Sequence, residues 1–210
     1  MKKLNIVIVG AGLTSAVIAR ELVESSDNIF VTVFEKRNHI GGNCYEEKIH
    51  DIKIHKYGPH LFHTNNEKVF KWLSRFTEWI EYKHKVKAML SNGRLVTLPV
   101  NKETKEIVGE ENVLDIFFRP YTRKMWNKEI EQLSPDIVNR VPVRDDLNDL
   151  YFPNDKYQAL PKNGYNFMIK NIFDHPRIEI KLSTAINFEK LAQYDFDHAF
   201  LSVPIDEFFN

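Results

Sequence analysis

The chain has 210 residues, and its 29 Lys and Arg balance 29 Asp and Glu, so the formal net charge is zero. That balance excludes a general nucleic-acid binder or a polybasic membrane anchor, while leaving room for a local basic pocket for one phosphate compound. Hydrophobic residues make up 43% and charged residues 28%, which excludes wholesale disorder; the length suits one or two domains with a proper core. The single cysteine, Cys44, rules out an intramolecular disulfide and argues against a cysteine zinc site. No apolar run is long enough for a membrane-spanning helix. The run Leu4–Gly12 leads into a glycine turn, not a signal-peptide cleavage region, so the sequence reads as cytoplasmic.

Leu4 to Val9 is a mostly β-branched run without alternation, suited to a central strand of a parallel sheet buried on both faces. Gly10-Ala-Gly12 breaks it. Thr14 to Ser25 reads as a helix and Ile29 to Phe34 as a second strand, which makes a βαβ crossover. A loop with Gly41-Gly42-Asn43 follows, then a turn at Lys56–His60. Asn65 to Phe76 reads as a helix capped by Asn65 or Asn66. Trp79–Leu90 and Arg94–Leu98 flank Ser91-Asn92-Gly93, a hairpin signal. Residues 101–113 are charged and weakly patterned, which predicts a solvated connector. Leu114 to Trp126 reads as helical around Pro120, and Pro135 to Pro142 is polar. Tyr157–Pro161, Arg177–Leu182 and His198–Val203 read as strands, and Tyr165–Phe173 as a helix.

Gly10-x-Gly12, between strand and helix, allows a pyrophosphate to approach the backbone at the helix N-terminus. The third glycine of that fingerprint is replaced by Ser15, the next smallest choice. Glu35 ends the second strand, where a carboxylate accepts hydrogen bonds from an adenosine ribose and repels a 2′-phosphate. The Gly41-Gly42 doublet, close to Glu35 and Arg37, favours FAD over NAD. Arg140 and Arg144 flank Val-Pro-Val. On the residues alone they suit a phosphate fork or an ordinary solvated basic stretch beside Asp145 and Asp146. Tyr121, Trp126, Tyr151 and Phe152 suit a stacking platform for a ligand or core packing, and Phe117 is expected in the core. His60-x-x-His63 lacks a third ligand, so no metal is expected.

These motifs, with several more, resemble the UDP-galactopyranose mutase family. The blocks, in order, are Val9–Leu13, Glu35–Tyr45, His55–Asn66, Tyr121–Trp126, Arg140–Arg144, Asn154–Gln158 with Gly164-Tyr165, and Val203–Phe208. Each alone is weak, but their ordered set is specific. The resemblance implies an α/β fold: a Rossmann-like FAD-binding domain over residues 1–76 and 177–210, with a reduced α+β substrate domain over 77–176. FAD would contact Gly10, Gly12, Leu13, Thr14, Glu35, Lys36, Arg37, Gly41, Gly42, Asn43, His60 and Leu61. A UDP-sugar would contact Tyr121, Trp126, Arg140, Arg144, Tyr151, Phe152, Asn154 and Tyr157. Arg144, Arg140, His60 and His63 would serve catalysis. The implied reaction is redox-neutral but needs reduced flavin, with NAD(P)H or another external reductant. Flavin attacks the anomeric carbon, UDP leaves, and the sugar recloses as UDP-galactofuranose.

Two departures stand out. About 20 residues replace the family's helical insertion between Leu98-Pro99 and Tyr121, and the chain stops after the Val203–Phe208 block. Together they favour a minimal relative over a fragment, and a monomer or an atypical dimer. The weaker grip on UDP opens two alternatives. One is a lyase-like or hydrolase-like release of UDP and an anhydro sugar. The other is a non-catalytic nucleotide-sugar or flavin-binding module.

Overall fold

A computed structural model of the protein describes residues 2–135 and 142–209. The chain forms two compact units, residues 1–81 with 159–210, and Tyr82–Gln158. Among the described residues, no helix is long and apolar enough to cross a membrane.

The first unit is Rossmann-like. Strand β1 (Leu4–Val9) leads through the Gly10–Gly12 turn into helix α1 (Leu13–Ser25), which returns the chain to β2 (Ile29–Phe34). These strands pair in parallel from Leu4↔Ile29 to Val9↔Phe34. Later segments add β10 (Ile178–Lys181) beside β2 and β11 (His198–Leu201) beside β1, also parallel. The sheet order is β10-β2-β1-β11.

The β-branched runs bury both faces, as their lack of alternation predicts. Ile6, Ile8, Val31 and Val33 face a core that includes Ala16, Ala19 and Val23. Val7, Val9 and Phe34 face a second core with Ile186, Leu191 and Phe208. Ser15, Ala16 and Ala19 are fully buried, so small side chains let α1 settle closely on the sheet.

The same face of the sheet is covered by α5 (Tyr165–Phe173), whose Met168, Ile169, Ile172 and Phe173 join the first core. This moves the expected domain boundary. The compact division falls at 81/82 and 158/159, not at 76/77 and 176/177. The reason is apolar burial: α5 completes the core over α1, so it cannot belong to the inserted unit.

Between β2 and α5 lie smaller elements. Strands β3 (Glu46–Ile49) and β4 (Ile52–His55) form an unforeseen hairpin, turned by His50 and Asp51 at φ 47° and 66°. Strand β5 (Phe62–Thr64) precedes α2 (Glu67–Leu73), which is shorter than expected and capped by the Asn66 side chain. Strand β6 (Trp79–Glu81) pairs antiparallel with the end of β9 (Tyr157–Pro161), in a sheet ordered β5-β9-β6.

The second unit opens on a hairpin of β7 (Val86–Met89) and β8 (Leu95–Leu98) around Asn92-Gly93. The expected first strand is therefore split, since Trp79–Glu81 pairs elsewhere. Residues 101–113 are not a simple connector: α3 (Lys102–Val108) forms there. Its N-cap Asn101 is buried and accepts from the Thr104 N–H at 3.0 Å, and the Thr104 hydroxyl donates to the Thr97 carbonyl at 2.9 Å. A π-helical turn at Leu114–Phe118 runs into α4 (Arg119–Trp126), with Pro120 in the first turn where its missing N–H costs nothing. Phe117, expected in the core, is only half-buried. Two short helices of the first unit, α6 (Phe188–Leu191) and α7 (Ile205–Phe209), complete the described elements.

Asn101→Ala should destabilise the second unit by about 1–2 kcal/mol, because a buried cap and its N–H partner are lost together. Urea titration followed by circular dichroism should show the shift, and Asn101→Asp should recover most of it.

Candidate functional site: a glycine-walled cavity

A cavity of about 630 Å³ lies at the carboxyl ends of β1 and β2 in the first unit, within the size range of small-molecule and cofactor sites. Its floor is the Gly10–Gly12 turn. Gly10 has φ 98°, and a Cβ there would stand 2.6 Å from the Ser202 carbonyl oxygen. Only glycine fits. The second turn, Gly41-Gly42, lies against the first. Gly12 and Gly41 form a parallel bridge, the Gly41 N–H donates to the Ala11 carbonyl at 2.8 Å, and a Cβ on Gly42 would come within 3.0 Å of the Gly12 Cα.

Helix α1 begins at Gly12 with no side-chain cap, so its first-turn N–H groups are not spoken for by a side chain. Gly12, Leu13 and Thr14 line the cavity beside them. Such a helix start carries about half a positive charge and suits a diphosphate.

Glu35 is buried at 6% exposure. One carboxylate oxygen accepts from the Ala11 N–H at 2.8 Å, the other from the Arg37 N–H at 2.9 Å. Each oxygen keeps a second lone pair for a ligand hydroxyl. Lys36 forms an ion pair with Glu207 across the cavity rim.

Ten of the expected cofactor residues line this cavity: Gly10, Gly12, Leu13, Thr14, Glu35, Lys36, Arg37, Gly41, Gly42 and Asn43. His60 and Leu61 do not. The His60 N–H donates to His55 Nδ1 at 2.9 Å, and its own Nδ1 donates to the Gly58 carbonyl at 2.8 Å, which fixes the turn before β5. His63 lies on β5 and is exposed. Sequence reasoning missed Thr184, Ala185, Asn187 and Lys190, which follow β10 and line the cavity. Only the parallel register of β10 on β2 brings them there. Cys44 also lines it, and burial raises its thiol pKa. Among the described residues, no group of three or more His, Cys, Asp or Glu could hold a metal ion.

Arg140 lies outside the described residues. In the second unit Arg144 is half-buried, and its guanidinium donates to the carbonyls of Leu150 at 2.6 Å and Tyr151 at 3.2 Å. Tyr151 meets Phe152 edge-on at 4.8 Å between centroids, and both rings lie near His84. Arg144, Tyr151 and Phe152 are thus brought together. Tyr121 and Trp126 sit on α4, 58% and 48% exposed. Tyr157 is half-buried under the Lys156 ammonium, and Asn154 is exposed. His84 was not singled out in the sequence. Burial lowers its pKa, and its buried Nδ1 has no partner among the described residues.

The turn, the helix start and the acidic strand end define the class: an α/β protein built on a dinucleotide-binding Rossmann-like domain. In agreement, residues 8–76 match the family model of an NAD(P)-binding Rossmann-like domain, and residues 116–210 match that of UDP-galactopyranose mutase. The chain is 34% identical over 247 aligned positions to the "Probable UDP-galactopyranose mutase" of Klebsiella pneumoniae, covering 100% of this chain and 63% of that one. It is 31% identical to the dTDP-fucopyranose mutase of Escherichia coli, covering 98% of this chain and 64% of the relative. A crystal structure of reduced UDP-galactopyranose mutase superposes with a TM-score of 0.73 at 18% identity, over 99% of this chain and 56% of that one. The chain is therefore similar along its whole length to a protein named as a probable UDP-galactopyranose mutase, and it spans under two thirds of the length of these relatives. The alignment with the Klebsiella protein is longer than this chain, so that relative carries internal residues that this chain lacks.

Gly10→Ala should destabilise the first unit by more than the ~1 kcal/mol of an ordinary glycine change, because the strained φ and the backbone clash add. Thermal melts should show it. The lowered His84 pKa means the native state resists this proton. Its contribution to stability is present above about pH 6.5 and is lost as pH falls through that value. Unfolding midpoints at pH 7.5 and pH 5 should therefore differ less in His84→Phe than in wild type.

Proposed function

We propose that the chain binds FAD in the first-unit cavity and serves UDP-galactopyranose mutase-type chemistry on a UDP-sugar. The observation that carries this reading is the meeting of two glycine turns, an uncapped helix start and a buried carboxylate in one cavity. Gly10, Gly12, Leu13 and Thr14 would hold the diphosphate. Glu35 would accept from the ribose through its second lone pairs, with Gly41–Asn43 against the cofactor. Reduced FAD supplies a nucleophile for the anomeric carbon, and its electrons would come from NAD(P)H or another external reductant.

The chain's own residues have three tasks. Arg144, with Arg140, neutralises the diphosphate as UDP departs. Tyr121, Trp126, Tyr151 and Phe152 hold the uridine, with Asn154 and Tyr157 at its edge. The resemblance would put His60 and His63 by the reacting centre, although neither lines the cavity. The charge that grows on the leaving diphosphate is met by a guanidinium already fixed in place, which helps the transition state more than the ground state. The relatives are named for both UDP-galactopyranose and dTDP-fucopyranose, so the nucleotide of the substrate needs direct comparison.

The test is turnover of chemically reduced protein with UDP-galactopyranose, and with dTDP-fucopyranose as comparator, followed by chromatography for furanose product and free nucleotide. Furanose product from UDP-galactopyranose is expected. FAD binding without any product would reduce the protein to a binding module. Arg144→Ala should lower turnover by about a hundredfold. Arg144→Lys should recover only part, because a point charge lacks the planar fork.

A further inference from the structure

We propose that His55 is a positioning residue that clasps the turn before β5 through its unprotonated Nδ1, and that the clasp opens when the ring takes a second proton. The turn carries His60 and leads into His63, so its bearing on catalysis rests on the function proposed above, while the clasp itself does not.

The His60 N–H donates to His55 Nδ1 at 2.9 Å. A backbone N–H only donates, so that nitrogen carries no proton, and the neutral ring holds its proton on Nε2. His55 Nε2 lies 3.5 Å from one carboxylate oxygen of Glu46, whose side chain is 7% exposed. The other oxygen of Glu46 accepts from the Asn166 N–H at 3.5 Å. Glu46 and His55 are also direct partners across β3 and β4. The His55 ring meets the Tyr165 ring edge-on, 5.7 Å between centroids. One imidazole thus accepts on one side and donates on the other, with each partner set by a different element.

The turn needs this tie because β4 and β5 belong to different sheets, so no ladder links them. Beyond the turn, the Phe62 N–H donates to the Tyr165 hydroxyl. His55 and Tyr165 therefore hold the chain at residues 60 and 62. Both trace back to the start of α5, Tyr165 directly and His55 through Glu46 and Asn166.

A second proton on His55 must enter at Nδ1. That nitrogen then becomes a donor facing the His60 N–H, another donor, and the bond is lost, while the cation keeps its carboxylate at Glu46. The titratable and charged groups around the ring are Glu46, His60, Tyr165, Cys44 and Lys56. Burial pushes the Cys44 thiol and the Tyr165 hydroxyl up, so neither ionises at or below neutral pH. Lys56 is paired with Glu47. His60 takes its own second proton at Nε2, which leaves the bond from its Nδ1 to the Gly58 carbonyl intact. The opening is therefore specific to His55.

The test reads the His60 amide by NMR and hydrogen exchange on the full chain, for wild type, H55N and H55L, at pH 7.5 and pH 5, the range in which histidines titrate. In wild type at pH 7.5, a coupling across the hydrogen bond should link the His60 amide nitrogen to His55 Nδ1. It should vanish at pH 5, where protection of the His60 amide should fall about tenfold while β1 amides keep theirs. The asparagine amide oxygen can take the place of Nδ1 and does not titrate, so H55N should keep His60 protected at both values. H55L should leave it unprotected at both. With chemically reduced protein and UDP-galactopyranose, turnover should fall by about the same tenfold from pH 7.5 to pH 5 in wild type, and by about twofold or less in H55N. His60 protection that ignores pH in wild type, or a loss shared equally by β1, would overturn the clasp. If H55L does not fold, wild type against H55N decides alone. An equal acid loss of turnover in wild type and H55N would overturn the positioning role. A clasp that responds as described in a protein without turnover would instead sink the function proposed above.

Discussion

The site depends on the carboxylate of Glu35. It accepts from Ala11 on one side and Arg37 on the other, so it ties the floor of the cavity to its wall. Both N–H groups lie in segments with no strand partner at those positions. An unpaired buried amide costs about 1–3 kcal/mol, so removing the carboxylate would loosen both loops together. The glycine turn then fixes where α1 starts, and the start of α1 fixes which of its residues meet the sheet. Small residues at 15, 16 and 19 let the helix lie close enough for that start to sit over the cavity. A single buried acid therefore ties the glycine turn at the start of α1 to the loop after β2.

A second tie runs between distant parts of the chain. Glu46 and Asn166 exchange hydrogen bonds: the Glu46 N–H donates to the Asn166 side-chain oxygen at 3.0 Å, and the Asn166 amide donates back to the Glu46 carbonyl at 2.6 Å. Glu46 is buried at 8% exposure. A Cβ on Gly164 would come 2.2 Å from its carboxylate. Glycine at 164 thus lets α5 start against β3, and α5 in turn covers the sheet that carries the cavity. The Gly41-Gly42 doublet is anchored from behind by the same contact, since Glu46 lies only four residues after Gly42.

Much of this was legible in the sequence where a local pattern has one physical reading. The β1–α1–β2 unit was, because a β-branched run, a glycine turn and an acid at the next strand end leave few alternatives. The placing of the Gly10–Gly12 turn and Glu35 at one cavity followed from that unit. Helix α3 was not, because its signal is one capping asparagine amid charged residues that also suit a solvated loop. The β3–β4 hairpin was not, because His50 and Asp51 occupy left-handed positions where glycine or asparagine is the usual cue. The cavity wall at Thr184–Lys190 was invisible because long-range register, not local pattern, brings it to β2. The same holds for Tyr57. A tyrosine beside Gly58 signals only a turn until the fold lays Arg37 on its ring.

The second unit shows the opposite economy. Its buried residues include Val96, Val100, Val113 and Ile130, but also Thr97, Asn101 and Thr104. Side chain–backbone bonds therefore do much of the holding, and such a unit is sensitive to the loss of one donor. Arg144 is one of these donors. Its two bonds to the Leu150 and Tyr151 carbonyls fix the strand of chain that carries the Tyr151 and Phe152 rings, while its backbone N–H binds the Val100 carbonyl at 2.8 Å. A guanidinium has five N–H donors, so these two bonds leave three for another acceptor, which on the function proposed above would be a diphosphate. On that reading the two tasks would reinforce each other: a cation whose plane is fixed by carbonyls loses less entropy when an anion arrives. They also predict how its loss divides. Alanine removes the brace and the charge, whereas lysine retains the charge and can still reach one carbonyl. The difference between the two variants in unfolding midpoint measures the brace, and their difference in turnover beyond that measures the fork.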